Sequence, residues 1–195
     1  MTGIILAGGE SRRMGKDKAL LEIGGRRIIE MVAERLRSIF DDVMVVSGHP
    51  PVYQFLGLKV VRDVVCEKGP LGGIYTGLLV SESEYNFICA CDMPFLNIEL
   101  LRFMLSQVND DTEAIVPIVK GLVEPLHSIY SKRCLGAIRA HLEDDELRVR
   151  DFLSEVKCNY LSEDLIRRYD PDLLSFFNLN TPEDLEVAKR YLCST

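Results

Sequence analysis

The feature that most restricts the fold is a regular alternation of short apolar runs with helical patterns along the 195 residues. A strand over 3–6 leads into adjacent glycines. A helix over 27–40 follows, whose apolar residues Ile28, Met31, Val32, Leu36 and Ile39 recur at three and four. Strands are predicted over 43–47 and 59–62, then a helix over 73–81 and a strand over 86–91 apolar enough to be buried on both faces. A helix over 98–108, strands over 114–119 and 127–130, helices over 132–142 and 148–155 and a strand over 159–161 complete the pattern before a last helix over 182–192. That helix starts well, with Thr181 as N-cap, Pro182 in the first turn, and Glu183 and Asp184 complementing the dipole. The expected class is α/β: a single-domain three-layer α/β/α sandwich with a Rossmann-like, mostly parallel sheet, occupying residues 1–195. Ligands of such sheets bind beyond the carboxyl ends of the strands.

Composition narrows the function classes. Hydrophobic residues at 47% and charged residues at 27% are those of a globular chain, and there is neither repeat nor low-complexity tract. A formal net charge of −7 argues against a general nucleic-acid or anionic-membrane binder, but leaves room for a small phosphorylated ligand held by a few local cations. The opening apolar run ends at glycines, too short for a signal peptide or a membrane span, so a soluble, cytoplasmic protein is expected. The six cysteines at 66, 89, 91, 134, 158 and 193 form no C-x-x-C pair and read as structural thiols.

Four loops carry the chemical signals. The first runs Leu6-Ala7-Gly8-Gly9-Glu10-Ser11-Arg12-Arg13-Met14-Gly15-Lys16-Asp17-Lys18. Paired glycines after a strand aim backbone amides at phosphate oxygens, and Arg12, Arg13, Lys16 and Lys18 concentrate positive charge in an acidic chain. The loop matches neither the P-loop nor the dinucleotide fingerprint, and a plain turn with a basic rim is the bland alternative. The second is Cys91-Asp92-Met93-Pro94-Phe95, where a carboxylate directly after a buried strand suits magnesium, or caps a turn. The third is Asn178-Leu179-Asn180-Thr181-Pro182, in which Asn180 is a cap or a metal ligand. The fourth is Gly69-Pro70-Leu71-Gly72-Gly73, preceded by Arg62-Asp63, where glycines permit backbone contact with a base or ribose, or make a turn. His49, His127 and His141 lack ligand-spaced partners and read as structural, with His127 and the 124–130 segment a guess for an acceptor pocket alongside Arg148 and Arg150.

Together LAGGESRRMGKDKALL, GPLGGIYTGL, CDMPFL, EPLHSIY and NLNTPEDL, in this order, resemble the motifs of the molybdenum cofactor guanylyltransferases over nearly the whole chain. The resemblance implies a fold of the nucleotide-diphospho-sugar transferase type and transfer of GMP from GTP to the terminal phosphate of molybdopterin, or of its metal-loaded form, with release of pyrophosphate. It implies nucleotide contacts from Leu6, Ala7, Gly8 and Gly9, phosphate binding by Lys18 with Arg13 assisting, and a guanosine-side role for Asp63. Ser47 stands where the family often has an asparagine near the base. Asp92 would hold Mg2+, with Asn180 as a second metal contact. Arg13, Lys18 and Asp92 are therefore the expected catalytic residues. The expected partners are GTP and the pterin cofactor, not nucleic acid or membrane, with room for contacts to other cofactor-biosynthesis proteins or molybdoenzymes. Two alternatives stay open. One is another nucleotidyl transfer, to the same pterin as CMP or to a sugar, isoprenoid or cobinamide phosphate; the other is a non-catalytic nucleotide-binding regulatory module.

Overall fold

The computed structural model describes residues 1–8, 17–65 and 67–193. In chain order the elements are β1 (Thr2–Leu6), the two-residue strands β2 (Glu22–Ile23) and β3 (Arg26–Arg27), α1 (Ile28–Arg37), β4 (Asp42–Ser47), β5 (Lys59–Arg62) and α2 (Gly69–Val80). They continue with β6 (Tyr85–Ala90), α3 (Ile98–Ser106), β7 (Ala114–Val119), β8 (Leu122–Val123), β9 (His127–Ser131), α4 (Leu135–Glu143) and α5 (Val149–Phe152). β10 (Cys158–Leu161), α6 (Glu163–Ile166) and α7 (Pro182–Cys193) close the described chain. Short 3-10 turns add Lys18–Leu20, Pro50–Leu56, Lys132–Cys134 and Leu174–Phe176.

Eight strands form the main sheet in the order β10-β7-β9-β6-β1-β4-β5, with β8 paired beside β7, and β2 and β3 pair as a separate hairpin. β1 pairs parallel with β4 and β6, β4 with β5, and β10 with β7. Only β9 on this path runs against its neighbours, β6 and β7. The expected mostly parallel sheet is present.

Side-chain alternation splits the core into two layers. On one face Ile5, Ala7, Val45, Phe87 and Cys89 pack with Val32 and Leu36 of α1 and Leu100, Leu101 and Met104 of α3. On the other, Ile4, Leu6, Met44, Val46 and Ile88 pack with Leu71, Ile74 and Leu78 of α2 and Ile138 and Leu142 of α4. Helices on both faces make the three layers. A smaller cluster of Ile23, Ile28, Leu179 and Ala188 seats α7 beside the β2–β3 hairpin.

α2 starts at Gly69, four residues ahead of the expected 73, with Pro70 in its first turn. Its glycines serve packing. A Cβ on Gly73 would lie 3.2 Å from Leu6 Cδ1 of β1, and one on Gly72 only 2.8 Å from the Val65 carbonyl oxygen. Gly73 lets the helix lie close on β1, and Gly72 lets it lie close on the loop at Val65.

Candidate active site

The carboxyl ends of β1 and β6, the segment before β9 and the approach to α7 enclose an open cleft of about 450 Å³. Its walls include Gly8, Lys18, Pro70, Asp92, Glu124, Asn178 and Asn180. β1 and β6 are adjacent parallel strands, and the ladder continues past them, since the Cys91 N–H donates to the Leu6 carbonyl at 3.1 Å. Gly8 and Asp92 therefore emerge side by side. The third wall is tied in by the Leu179 N–H, which donates to the Asp92 carbonyl at 3.0 Å.

Lys18 and Asn180, 162 positions apart in sequence, meet in this cleft, where the Lys18 Nζ donates to Asn180 Oδ1 at 2.7 Å. Burial holds the Asp92 carboxyl above its ordinary range, and the nearby Lys18 charge pulls it partly back. Burial and the Asp92 charge likewise push up the Cys91 thiol, which is no nucleophile here. A desolvated carboxylate of this kind favours a cation beside it. Among the described residues, no three His, Cys, Asp or Glu side chains gather into a metal site. A cation at Asp92 would therefore draw most of its ligands from bound phosphates and water, which suits magnesium. The residues present fit that ion.

Asp17 sets the far end of the glycine-rich loop. Its Oδ1 caps the turn at Lys18–Leu20 by accepting from the Ala19 N–H at 3.1 Å, and its Oδ2 accepts the Tyr53 hydroxyl at 2.5 Å. Tyr53 is buried, and both burial and Asp17 raise its pKa well above the ordinary phenol. Neither Asp17 nor Tyr53 was expected at the site. The signal was an Asp immediately before a short helical turn; its tyrosine partner lies 36 positions on and could be found only in three dimensions.

Leu6 and Ala7 are buried, and their backbone is engaged in the sheet, the Ala7 N–H donating to the Val46 carbonyl at 2.9 Å and the Leu6 carbonyl accepting from Cys91, so the expected phosphate contacts from these two residues pass to Gly8, which lines the cleft. Gly9, Arg13 and the other loop cations before Asp17 lie outside the described residues, as does Cys66. Ser47 and Asp63 stand at the carboxyl ends of the adjoining strands rather than in the cleft wall. The Ser47 hydroxyl accepts from the His49 N–H at 3.1 Å. Asp63 Oδ1 accepts from the Thr76 hydroxyl at 2.7 Å and the Val65 N–H at 3.0 Å, which fixes its carboxylate against α2. Asn180 does not cap α7; Thr181 does, its hydroxyl accepting from the Asp184 N–H while Asp184 accepts from the Thr181 N–H.

Two guesses for an acceptor pocket are corrected. His127 is fully buried between Phe87 and Phe176, at ring distances of 5.1 and 4.7 Å, and neither ring nitrogen has a hydrogen-bond partner among the described residues. Burial lowers its pKa to about 3. Arg148 and Arg150 line a different cavity of about 650 Å³ with His141, Glu146 and Glu155, sharing no wall residue with the Asp92 cleft.

An open cleft at the carboxyl edge of a mostly parallel sheet, with a lysine near a half-buried carboxylate and, among the described residues, no activated nucleophile, is the arrangement of a nucleotidyltransferase. Comparison with known proteins agrees. The model of the MobA-like NTP transferase domain matches residues 3–159, and the chain belongs to that family. It is 41% identical to a "probable molybdenum cofactor guanylyltransferase" of Natranaerobius thermophilus, over 100% of this chain and 98% of that one. It is 38% identical to the molybdenum cofactor guanylyltransferase of Desulfosudis oleivorans, over 97% and 94%. Among solved structures, molybdopterin-guanine dinucleotide biosynthesis protein A from Archaeoglobus fulgidus superposes with a TM-score of 0.85 at 25% identity, covering both chains completely.

Proposed function

We propose that this protein transfers GMP from GTP to the terminal phosphate of molybdopterin, or of its metal-loaded form, as one catalytic domain over residues 1–195. An acceptor phosphate oxygen bonds to the α-phosphorus of GTP. The bond from that phosphorus to the bridging oxygen breaks, and pyrophosphate leaves with the electron pair. The nucleophile is already an anion at neutral pH, so neither a strong base nor a covalent enzyme intermediate is needed.

The work left to the protein is positioning and charge neutralisation. The observation that carries this reading is Lys18, from the turn after the glycine-rich loop, and Asp92, from the end of β6, converging on one cleft. Backbone amides of Gly8 and Gly9, just past the end of β1, cradle the phosphates; Lys18, with Arg13, balances charge moving onto pyrophosphate. Asp92 and the Asn180 carbonyl oxygen would hold Mg2+, which when bound neutralises phosphate oxygens. Asp63, held by Thr76, is assigned to the guanosine side with Ser47 beside it. Among the described residues no helix is long and apolar enough to cross a membrane, and we place the reaction in the cytoplasm.

A discontinuous pyrophosphate-release assay with GTP, magnesium and molybdopterin tests the reading. Asp92→Ala is expected to cost about 2.7–4 kcal/mol of transition-state stabilisation, roughly 10²–10³ in rate. Near-full activity in a folded variant, or a wild-type preference for CTP over GTP, would overturn it.

A further inference from the structure

Glu124, between β8 and β9, is half-buried in the same cleft as Asp92, and the transfer chemistry gives it no task. Its backbone is fixed on both sides. The Glu124 N–H donates to the Pro117 carbonyl at 2.9 Å, and its own carbonyl accepts from the Ser128 hydroxyl at 2.7 Å and the His127 N–H at 3.1 Å. Its carboxylate, by contrast, makes no hydrogen bond or ion pair among the described residues. Burial lifts its pKa above the ordinary range, and Lys120 offsets that only in part. A rigidly mounted acceptor group left unsatisfied in a cleft is suited to ligand N–H donors.

The sheet order says which ligand reaches it. Strands β1, β4 and β5 lie on one side of β6, and β9 and β7 on the other. Because β9 runs against β6, the residues just before it sit at the same sheet edge as the residues just after β6; the Ala90 N–H donates to the Leu126 carbonyl at 3.2 Å. Along that edge the sequence of groups is the glycine-rich loop, then Asp92, then Glu124. A triphosphate held by the loop with its α-phosphorus near Asp92 leaves the Glu124 side to the acceptor.

We propose that Glu124 recognises the acceptor, its two carboxylate oxygens accepting N–H bonds from the 2-amino and ring N–H groups along one edge of a pterin. This assignment rests on the guanylyl-transfer reading for the direction of approach. Guanine carries the same donor edge, so the test must separate the two rings.

The full chain carrying Glu124→Gln is compared with wild type in two arms. In turnover, the acceptor KM should rise at least tenfold with kcat nearly unchanged, while calorimetry gives a GTP Kd within twofold of wild type. At equilibrium, wild type should bind pterin-6-carboxylate about tenfold better than lumazine-6-carboxylate, which has oxygen in place of the 2-amino group; the variant should lose that preference. An unchanged acceptor KM with the pterin preference retained overturns the proposal. A weakened GTP Kd with the acceptor KM unchanged overturns it too, by putting guanine at Glu124. A wild-type protein that performs no guanylyl transfer overturns the reaction reading instead, and the equilibrium arm, which needs no turnover, still decides Glu124.

Discussion

Mild acid should destabilise this protein through one residue, and the size of the effect can be worked out from His127. Folded, its imidazole is neutral, sealed from water with a pKa lowered to about 3 by burial. In the unfolded chain the same ring takes a proton near the ordinary value of about 6.5. Below 6.5 the unfolded state therefore binds a proton that the folded state refuses, so stability falls as pH falls and levels off only near 3. At about 1.36 kcal/mol per pH unit, lowering the pH from 7.5 to 5.0 costs about 2 kcal/mol from this ring. The control is His127→Leu, which fills a similar volume with no titrating group. The chain has no tryptophan, so urea unfolding is best followed by far-UV circular dichroism at the two pH values. Other titrating groups are common to both proteins and cancel in the comparison, as does any packing change that is independent of pH. Wild type should lose about 2 kcal/mol more than the variant between pH 7.5 and 5.0. Equal losses would mean that the ring is protonated or solvated in the folded state, and the argument from burial would fail.

Two further outcomes follow from the site's supports. Tyr53→Phe removes the hydroxyl that Asp17 accepts and should cost about 1.5–3 kcal/mol in denaturant unfolding, the range for a hydrogen bond to a charged group. It should also weaken GTP binding in calorimetry, because Asp17 sets the turn that begins at Lys18. Gly72→Ala drives a methyl to 2.8 Å from the Val65 backbone carbonyl, and a loss of about 1–3 kcal/mol is expected in thermal unfolding; an unchanged midpoint would show that the loop at Val65 gives way freely.

The strands that form the core were legible because each is apolar and bounded by polar or glycine punctuation, and the 59–62 and 114–119 strands appear at their expected limits. α2 was misjudged at its start because a helix buried against the sheet has no polar face to mark its period, and its leading glycines look like loop. The β2–β3 hairpin was missed although Gly24 and Gly25 at its turn, both with positive φ, are a hairpin signal; two-residue strands carry too little pattern to count. At the site, Asp92 and Lys18 could be nominated locally, since each follows a recognisable motif. The Tyr53 clamp could not, because it depends on which distant segments the fold makes neighbours; the 124–130 segment was nominated, but that Glu124 rather than His127 faces the cleft shows only in the structure. His127 shows the converse: a polar residue close in sequence to the cleft is buried because it belongs to β9, which is buried on both faces.

The tie between Lys18 and Asn180 also bears on when the site comes into being. Lys18 comes early in the sequence, whereas Asn180, which holds it, follows every strand of the sheet. Domains begin to fold while synthesis continues, so β1, β4 and β6 can pair while the cleft still lacks a wall. Until residues 179–180 emerge, Lys18 has no Asn180 to hold it and Asp92 lacks its tie to Leu179. Competence for transfer would thus lag behind formation of the sheet.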